Sequence, residues 1–384
     1  MCIRDRYNAD SYQDRLLLLK EIGENIENHF ILTDKILTNP PSGYLAPSQK
    51  MNIKEFWNWA VIQIKDIAAR YNNTIIVNEH LNGIVNAKLK FSRVPNLIRI
   101  VSLYSGEFEF VMKKGWSVDS NYQKEIGRVQ TLRIIKSRFK PLFLRFIAVW
   151  GSQIIVGNSS SAAKELKSIF KRKRYVLNTS LSLERMRKHL NQPAEVKQVG
   201  KRLKILYAGK IYPAKGIGTL FQAFNLLDDQ QRSKIEVEII GKVFNNDRDW
   251  FDKMMHSLEG RMTISYKKKV SQEELFKTFN DFHALVFPSF FEGSPRILKE
   301  AMMANLVIIS SDIPGTKVLD ESGKVIQFFD VGNAESLKKR LVELINNYDG
   351  MGSIISSGSE MIKKFDTKSI AAERIEFYKS LELS

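Results

Sequence analysis

From Leu203 onward the chain alternates short apolar runs, rich in β-branched residues, with helical stretches, and this rhythm restricts its fold more than any other feature. The runs are "LKILYAG" (203–209), "IEVEIIG" (235–241), "MTISY" (262–266), "ALVFPS" (284–289), "LVIIS" (306–310) and "VIQF" (325–328). Runs that are apolar on both faces and joined through helices predict a parallel sheet covered by helices on each side. One connecting helix announces its start: "SQEELFKTF" (271–279) places Ser271 three residues before Glu274, the spacing of a reciprocal capping box. In sheets of this kind ligands bind beyond the carboxyl ends of the strands.

The first half repeats the rhythm less cleanly. Helices are expected over 12–28, 53–70 and 161–171, and strands over 29–33, 74–79, 97–104 and 152–158. The polar stretch "HLNQPAEVKQVGKR" (189–202) marks a boundary, which divides the chain into domains of residues 1–195 and 196–365. Helices follow over 333–347, 351–364 and 367–382, the last lacking a strand after it. Residues 366–384 are therefore expected to pack back on the first domain. The opening "MCIRDRYNADS" reads as too polar for a buried strand, so the first strand of that domain is expected to be missing. The true start then lies upstream, or residues 1–11 are a foreign lead.

Length and composition agree with two domains: 384 residues, 43% hydrophobic, exceed one ordinary core. No apolar stretch reaches the roughly 18 residues of a membrane span, and the N-terminus lacks the apolar centre of a secretory signal, so a cytoplasmic location is expected. The single cysteine, Cys2, has no partner for an internal disulfide or a metal site. Charge divides unevenly. Residues 1–200 carry 32 Lys and Arg against 17 Asp and Glu, whereas residues 201–384 carry 27 against 25. Much of the excess lies in "RIIKSRFKPLFLRF" (133–146) and "KSIFKRKR" (167–174), where cations alternate with bulky apolar residues. That mixture suits the inner face of an anionic membrane, and equally a solvated basic face. Nucleic acid is not expected, because no aromatic RNA-binding signature, zinc finger or basic zipper is present.

The chemistry concentrates in "FFEGSPRILKEAMMANLVIISSDIPG" (290–315). Ser294 reads as a helix cap and Pro295 as the first helical residue, which turns the N–H groups of Arg296, Ile297 and Leu298 towards an anion such as phosphate. Glu292 and Glu300 would repel phosphate, but each can accept two hydrogen bonds from a sugar diol. Eight residues of mostly helical chain span roughly 12 Å, about the reach of a diphosphate with a sugar at each end. Lys210 and Lys215 in "AGKIYPAKGIG" (208–218) supply the offsetting cations at the same sheet edge, with Gly209 and Gly216 permitting close backbone approach. Either segment alone would be ordinary. Together they describe a site for a nucleotide-diphosphate sugar.

These two phrases resemble the retaining glycosyltransferases of family 4, which have the GT-B fold: two Rossmann-like, doubly wound domains with a cleft between them. "SQIIVGNSSSAAKEL" (152–166) and "YVLNTSLSLERM" (175–186) are similar to the family's last N-terminal strand and its interdomain segment. The resemblance implies that Glu292 holds the donor sugar and supports positive charge at its anomeric carbon, while Glu300 binds the ribose hydroxyls. Lys210 and Lys215 would bind the diphosphate, with Lys210 standing where arginine is more usual, and Gly293, Ser294, Pro295, Arg296, Ile297 and Leu298 would present the loop and helix start. It implies no metal and no cofactor beyond the donor, and a glycan or lipid-linked acceptor in cell-surface polysaccharide assembly. Asn305 and Val307 replace the usual glycine and proline. The histidine expected after the strand at 97–104 is replaced by Tyr104 and Ser105, with His80 nearby in the fold. A hydrolase or epimerase acting on nucleotide sugars, or a non-catalytic binding remnant, would use the same phosphate site.

Four other features invite a functional reading and are better explained structurally. "DRD" (247–249) imitates a metal-binding triplet, but acids favour a first helical turn. "KGIG" lacks the glycine spacing of a dinucleotide fingerprint. Trp57 and Trp59 suit helix packing, and His283 opens a buried strand.

Overall fold

The computed structural model describes residues 2–3, 21–22, 31–32, 44–45, 52–71, 74–79, 83–94, 97–103, 143–164, 166–191, 196–243 and 247–382. The described residues form two compact units. One takes residues up to Ser180 together with those from Thr367 onward, and the other takes Leu181–Asp366. Tyr104, Ser105, His80 and the basic run 133–142 lie outside the described residues.

In the first unit seven strands make a parallel sheet: β1 (Cys2–Ile3), β2 (Ile31–Leu32), β3 (Tyr44–Leu45), β4 (Thr74–Glu79), β5 (Leu97–Leu103), β6 (Ile154–Gly157) and β7 (Lys173–Val176), in the order β3-β2-β1-β4-β5-β6-β7. The opening residues, expected to contribute no strand, do so: Cys2–Ile3 pairs in parallel with both β2 and β4 at the middle of the sheet. Pairing over two residues asks far less apolar length than a full buried strand.

Helix α1 (Ile53–Arg70) is closed at its start by a reciprocal box between Asn52 and Glu55. With α2 (Ile84–Phe91) it buries Phe56, Ala60, Ile64, Val85 and Leu89 against Ile76 and Leu97. Trp57 and Trp59 pack beside that cluster, in keeping with their reading as helix packing. A helix over 143–151 and α3 (Ser160–Lys164) cover Val101, Leu103 and Ile155. The C-terminal helix α11 (Thr367–Glu382) places Phe377 and Leu381 on Val77, Ile100, Ile154 and Val156.

The second unit is built from β8 (Leu203–Ala208), β9 (Ile235–Ile240), β10 (Thr263–Lys267), β11 (Ala284–Phe287), β12 (Val307–Ser311) and β13 (Ile326–Phe329). They form one parallel sheet in the order β10-β9-β8-β11-β12-β13. Alternate residues of one strand enter different cores. Leu203, Ile205 and Tyr207 join Ala284, Val286, Val307 and Ile309 beneath α5 (Ile217–Leu226) and α9 (Ala334–Asn347). Leu206, Ala208, Leu285, Phe287 and Ile308 face α4 (Leu183–Arg187), α7 (Gln272–Thr278) and α8 (Arg296–Met303). Helices α6 (Arg248–Leu258) and α10 (Gly352–Met361) complete the layers. The strand order reverses between β8 and β11, the place in such a sheet where flanking loops diverge and leave room for a ligand.

Candidate functional site

The loops leaving β8 and β11 are stitched together. After β8 the chain makes a short turn over Pro213–Lys215 and enters α5 through Gly216, whose φ of +69° lies in the left-handed region. A Cβ on Gly216 would collide with the carbonyl oxygen of Pro288, so glycine is needed here for both conformation and space. The close approach predicted at this glycine is therefore between two loops of the protein. Phe290 N–H donates to Ala214 O at 3.1 Å, and the Lys215 ammonium pairs with Glu292 Oε1, both side chains being about one-fifth exposed. The Ser289 hydroxyl has Glu292 Oε1 within 3.2 Å and Phe291 O within 3.2 Å.

A third segment holds the same loop from the other side. Ser311, at the end of β12, donates its hydroxyl to Ser289 O, and Thr316 donates to Ser311 O at 2.8 Å. Gly315 lies so close that a Cβ there would strike the carbonyl of Glu292 and come within 2.8 Å of Gly293 O. Gly315, Ser311 and Thr316 were not singled out from the sequence. Ser311 and Gly315 fall at the end of the quoted phrase, in "SSDIPG", and Thr316 follows it directly, but nothing in these residue types alone points to the loop after β11.

Helix α8 begins one residue later than expected. Pro295, with ψ of 117°, is the capping residue, and Arg296 is the first helical one. Ser294 is buried beside it and is not the cap. Pro295 offers no side-chain cap, and the N–H groups of Arg296, Ile297 and Leu298 form the first turn, where the helix dipole favours an anion. Gly293 is buried ahead of it, as are Leu298 and Glu300 along it.

The two glutamates occupy different hydrogen-bonded sets. Glu292 belongs with Lys215 and Ser289 in the loop. Glu300, with its side chain only 6% exposed, accepts from Gln272 Nε2 at 2.9 Å and has Arg296 Nη2 at 3.8 Å. A carboxylate removed from water to this degree requires such donors. Its neighbour Lys299, which sequence reading passed over, is fully buried with Nζ 4.4 Å from the Phe365 ring centre.

Gly209 and Lys210 are exposed at the end of β8. Gly209 N–H donates to Ile240 O at 2.9 Å, and its own carbonyl fills the space a Cβ on Gly241 would need. The glycine that close approach requires here is thus Gly241. Tyr207 Oη donates to Lys210 O at 2.9 Å. Burial, with smaller contributions from Tyr212 and Glu292, pushes the Tyr207 phenol well above its ordinary range, so it remains a donor. The structure thus joins Lys215 to Glu292, sets Lys210 at the same sheet edge, and gives Glu300 partners of its own.

The acids of "DRD" stand at the start of α6, with Asp247 as its capping residue. His283 is buried between backbone groups. Its Nδ1 accepts from Lys204 N–H at 2.9 Å and its Nε2 lies 3.1 Å from Gln198 O, while burial lowers its pKa.

Comparison with known proteins gives this chain relatives. Residues 190–361 match the family described as glycosyl transferases group 1. The chain is 25% identical over 181 residues to O-antigen chain mannosyltransferase B of Escherichia coli, a match covering 46% of this chain and 45% of that protein. It therefore spans about half the length of that relative. Sucrose-phosphate synthase (tll1590) from Thermosynechococcus elongatus superposes with a TM-score of 0.68 at 16% identity, over 100% of this chain and 98% of the other. Anabaena Alr3699/HepE in complex with UDP and glucose gives 0.67 at 12% identity, over 99% and 100%. WaaG, a glycosyltransferase involved in lipopolysaccharide biosynthesis, gives 0.63 at 12%, over 98% of each. At such identities the likeness is one of fold, and that fold is GT-B.

Proposed function

We propose that this chain, with a group 1 glycosyltransferase segment over residues 190–361 and the GT-B fold, transfers a sugar from a nucleotide diphosphate to a glycan or lipid-linked acceptor, with retention at the anomeric carbon. The observation that carries the reading is the pairing of Lys215 with Glu292 where the loops of β8 and β11 meet, one helix start away from Glu300. The E. coli relative, named for O-antigen chain synthesis, supports polysaccharide assembly as the setting, and a neighbour bound to UDP supports a nucleotide-sugar donor.

In this reading the diphosphate lies against the first turn of α8, with Lys210 and Lys215 contributing cations. Donor departure transfers negative charge to the diphosphate and leaves positive charge on the sugar ring. Ammonium groups and N–H dipoles answer the first, with no bound metal required, and the Glu292 carboxylate answers the second. Lys215 sits between the two charges and screens Glu292 from the phosphate. Attack by the acceptor hydroxyl on the face the leaving group vacates, with its proton passing to the departing diphosphate oxygen, preserves the anomeric configuration. Glu300 holds the ribose diol at the other end.

The test is turnover and donor binding in Glu292→Gln. Transfer is expected to fall on the order of 100- to 1000-fold, the usual cost of removing a preorganised charge, while nucleoside diphosphate affinity stays close to wild type. Transfer in the wild type is expected to survive chelation with EDTA. Unchanged turnover in the variant would remove Glu292 from the chemistry, and sugar release without any acceptor would convert the assignment to a hydrolase.

A further inference from the structure

Glu300 is approached by a chain of hydrogen bonds that begins in a distant segment. Arg185, on α4, donates Nη1 to Gln272 Oε1 at 3.2 Å, and Gln272, the first residue of α7, donates Nε2 to Glu300 Oε1 at 2.9 Å. Both helix starts are fixed by their own caps. Ser182 Oγ accepts from Arg185 N–H at 3.3 Å, and Ser271 Oγ accepts from Glu274 N–H at 3.1 Å. The second Arg185 nitrogen lies 4.0 Å from Glu273.

Chemistry dictates which way the glutamine must face. A guanidinium can only donate and a carboxylate can only accept, so an amide held between them satisfies both in one orientation, oxygen to Arg185 and nitrogen to Glu300. Arg185 thereby fixes the Gln272 amide, and Gln272 fixes one oxygen of Glu300. Arg296 Nη2, at 3.8 Å from that oxygen, adds positive charge. Neither relay residue lies in the phrase around Glu300: Gln272 precedes it by 28 residues and Arg185 precedes Gln272 by 87.

We propose that Arg185 and Gln272 are positioning residues that aim the Glu300 carboxylate at the ribose diol of the donor nucleotide. The proposal rests on the reading of Glu300 given above, and its consequence is discrimination between a ribonucleotide and the same nucleotide without its hydroxyls. A purely structural role would weaken folding but treat the two ligands alike.

The experiment measures dissociation constants for UDP and GDP, each beside its 2′,3′-dideoxy analogue, in the wild type and in Gln272→Ala, Arg185→Met and Arg185→Lys. The wild type should favour the better ribonucleotide by about tenfold or more, the scale of hydrogen bonds to a charged group. Gln272→Ala should reduce that preference to about twofold with dideoxy affinity nearly unchanged. Arg185→Met should fall between, and Arg185→Lys should recover most of the loss. Should Gln272→Ala fail to fold, Gln272→Glu carries the same test, because it keeps the size and the Arg185 contact but turns an oxygen towards Glu300. A wild type indifferent to the ribose hydroxyls would overturn the role of Glu300 itself. A wild type that discriminates, with a folded Gln272 variant that discriminates equally well, would overturn the relay alone.

Discussion

Gly315 carries no functional group, yet it bears on Glu292 as directly as any charged residue does. Its missing side chain is the space in which the Glu292 carbonyl rests, with Gly293 O at 2.8 Å from the same point. Gly315→Ala should therefore displace the loop without touching the carboxylate's chemistry, reducing transfer on the order of 100-fold for a shift of about 1 Å at the site. Measured kcat and KM, with melting temperature as control, decide this; an alanine variant with normal turnover would show that the loop has room to move. Glu292, Glu300, Lys210 and Lys215 could be picked out in the sequence because their charges fall at unusual places beside apolar runs. Gly315 and Gln272 could not, since what matters for each is a neighbour remote in the chain. Gly216 was recognised, but its close partner is Pro288 O.

At the scale of elements, the second sheet could be read almost strand for strand because β11 and β12 are buried along their whole length and β8 at all but Lys204, while β9 and β10 keep the period-two alternation of a half-buried strand. Strands β1, β3 and β7 escaped that reading. The first two contribute two residues each, and β7 is an edge strand whose sequence "KRYV" is largely exposed. Where a helix start was expected among the described residues it lies within a residue or so, as the shift from Ser294 to Pro295 illustrates, whereas Ile84–Phe91 and the helix over 143–151 were not expected. Entry into β13 depends on one carboxylate. Asp320 is buried and accepts from Val325 N–H at 2.7 Å, Ile326 N–H at 2.8 Å and the Ser322 hydroxyl at 2.8 Å. Burial alone would raise its pKa, but these donors outweigh burial and lower it. Asp320→Ala would strand the two buried amides and should cost about 2–4 kcal/mol in denaturant unfolding. Because the folded pKa is depressed, the wild-type advantage is present above the unfolded carboxylate value and lost as pH falls through the folded one. A variant with full stability near neutral pH would contradict this account of the turn.

Across the whole molecule the charge is one-sided, and the structure divides the basic residues by task. Arg174 donates to Ala163 O at 2.5 Å and Phe170 O at 2.9 Å, while Arg99 and Lys90 donate to Gly151 O and Trp150 O at the end of the 143–151 helix. Those cations satisfy terminal carbonyls and are part of the first unit's construction. Lys164, Lys167, Lys171 and Lys173 are exposed instead. Phe143, 62% exposed, lies in the same unit, as do exposed Ile169 and Phe146, whose ring is 4.9 Å from that of Phe170. Contact of these cations with anionic lipid would have a measurable signature. Replacing Lys167, Lys171 and Lys173 with glutamine should weaken binding to phosphatidylglycerol vesicles by roughly 100-fold at low salt, on the basis of about 1 kcal/mol per cation. The difference should shrink as salt is raised. Equal sedimentation of both proteins with vesicles would return the patch to a solvated face. Among the described residues no helix is long and apolar enough to cross a membrane.

The loop after β11 takes its shape from foreign segments: the Ala214 carbonyl, the vacancy at Gly216, the Ser311 hydroxyl and the vacancy at Gly315. Anyone wishing to retarget this protein to another donor by grafting a relative's residues 288–296 would be importing a part machined for different mounts. The pieces around 213–216 and 311–316 would have to travel with it as one cassette.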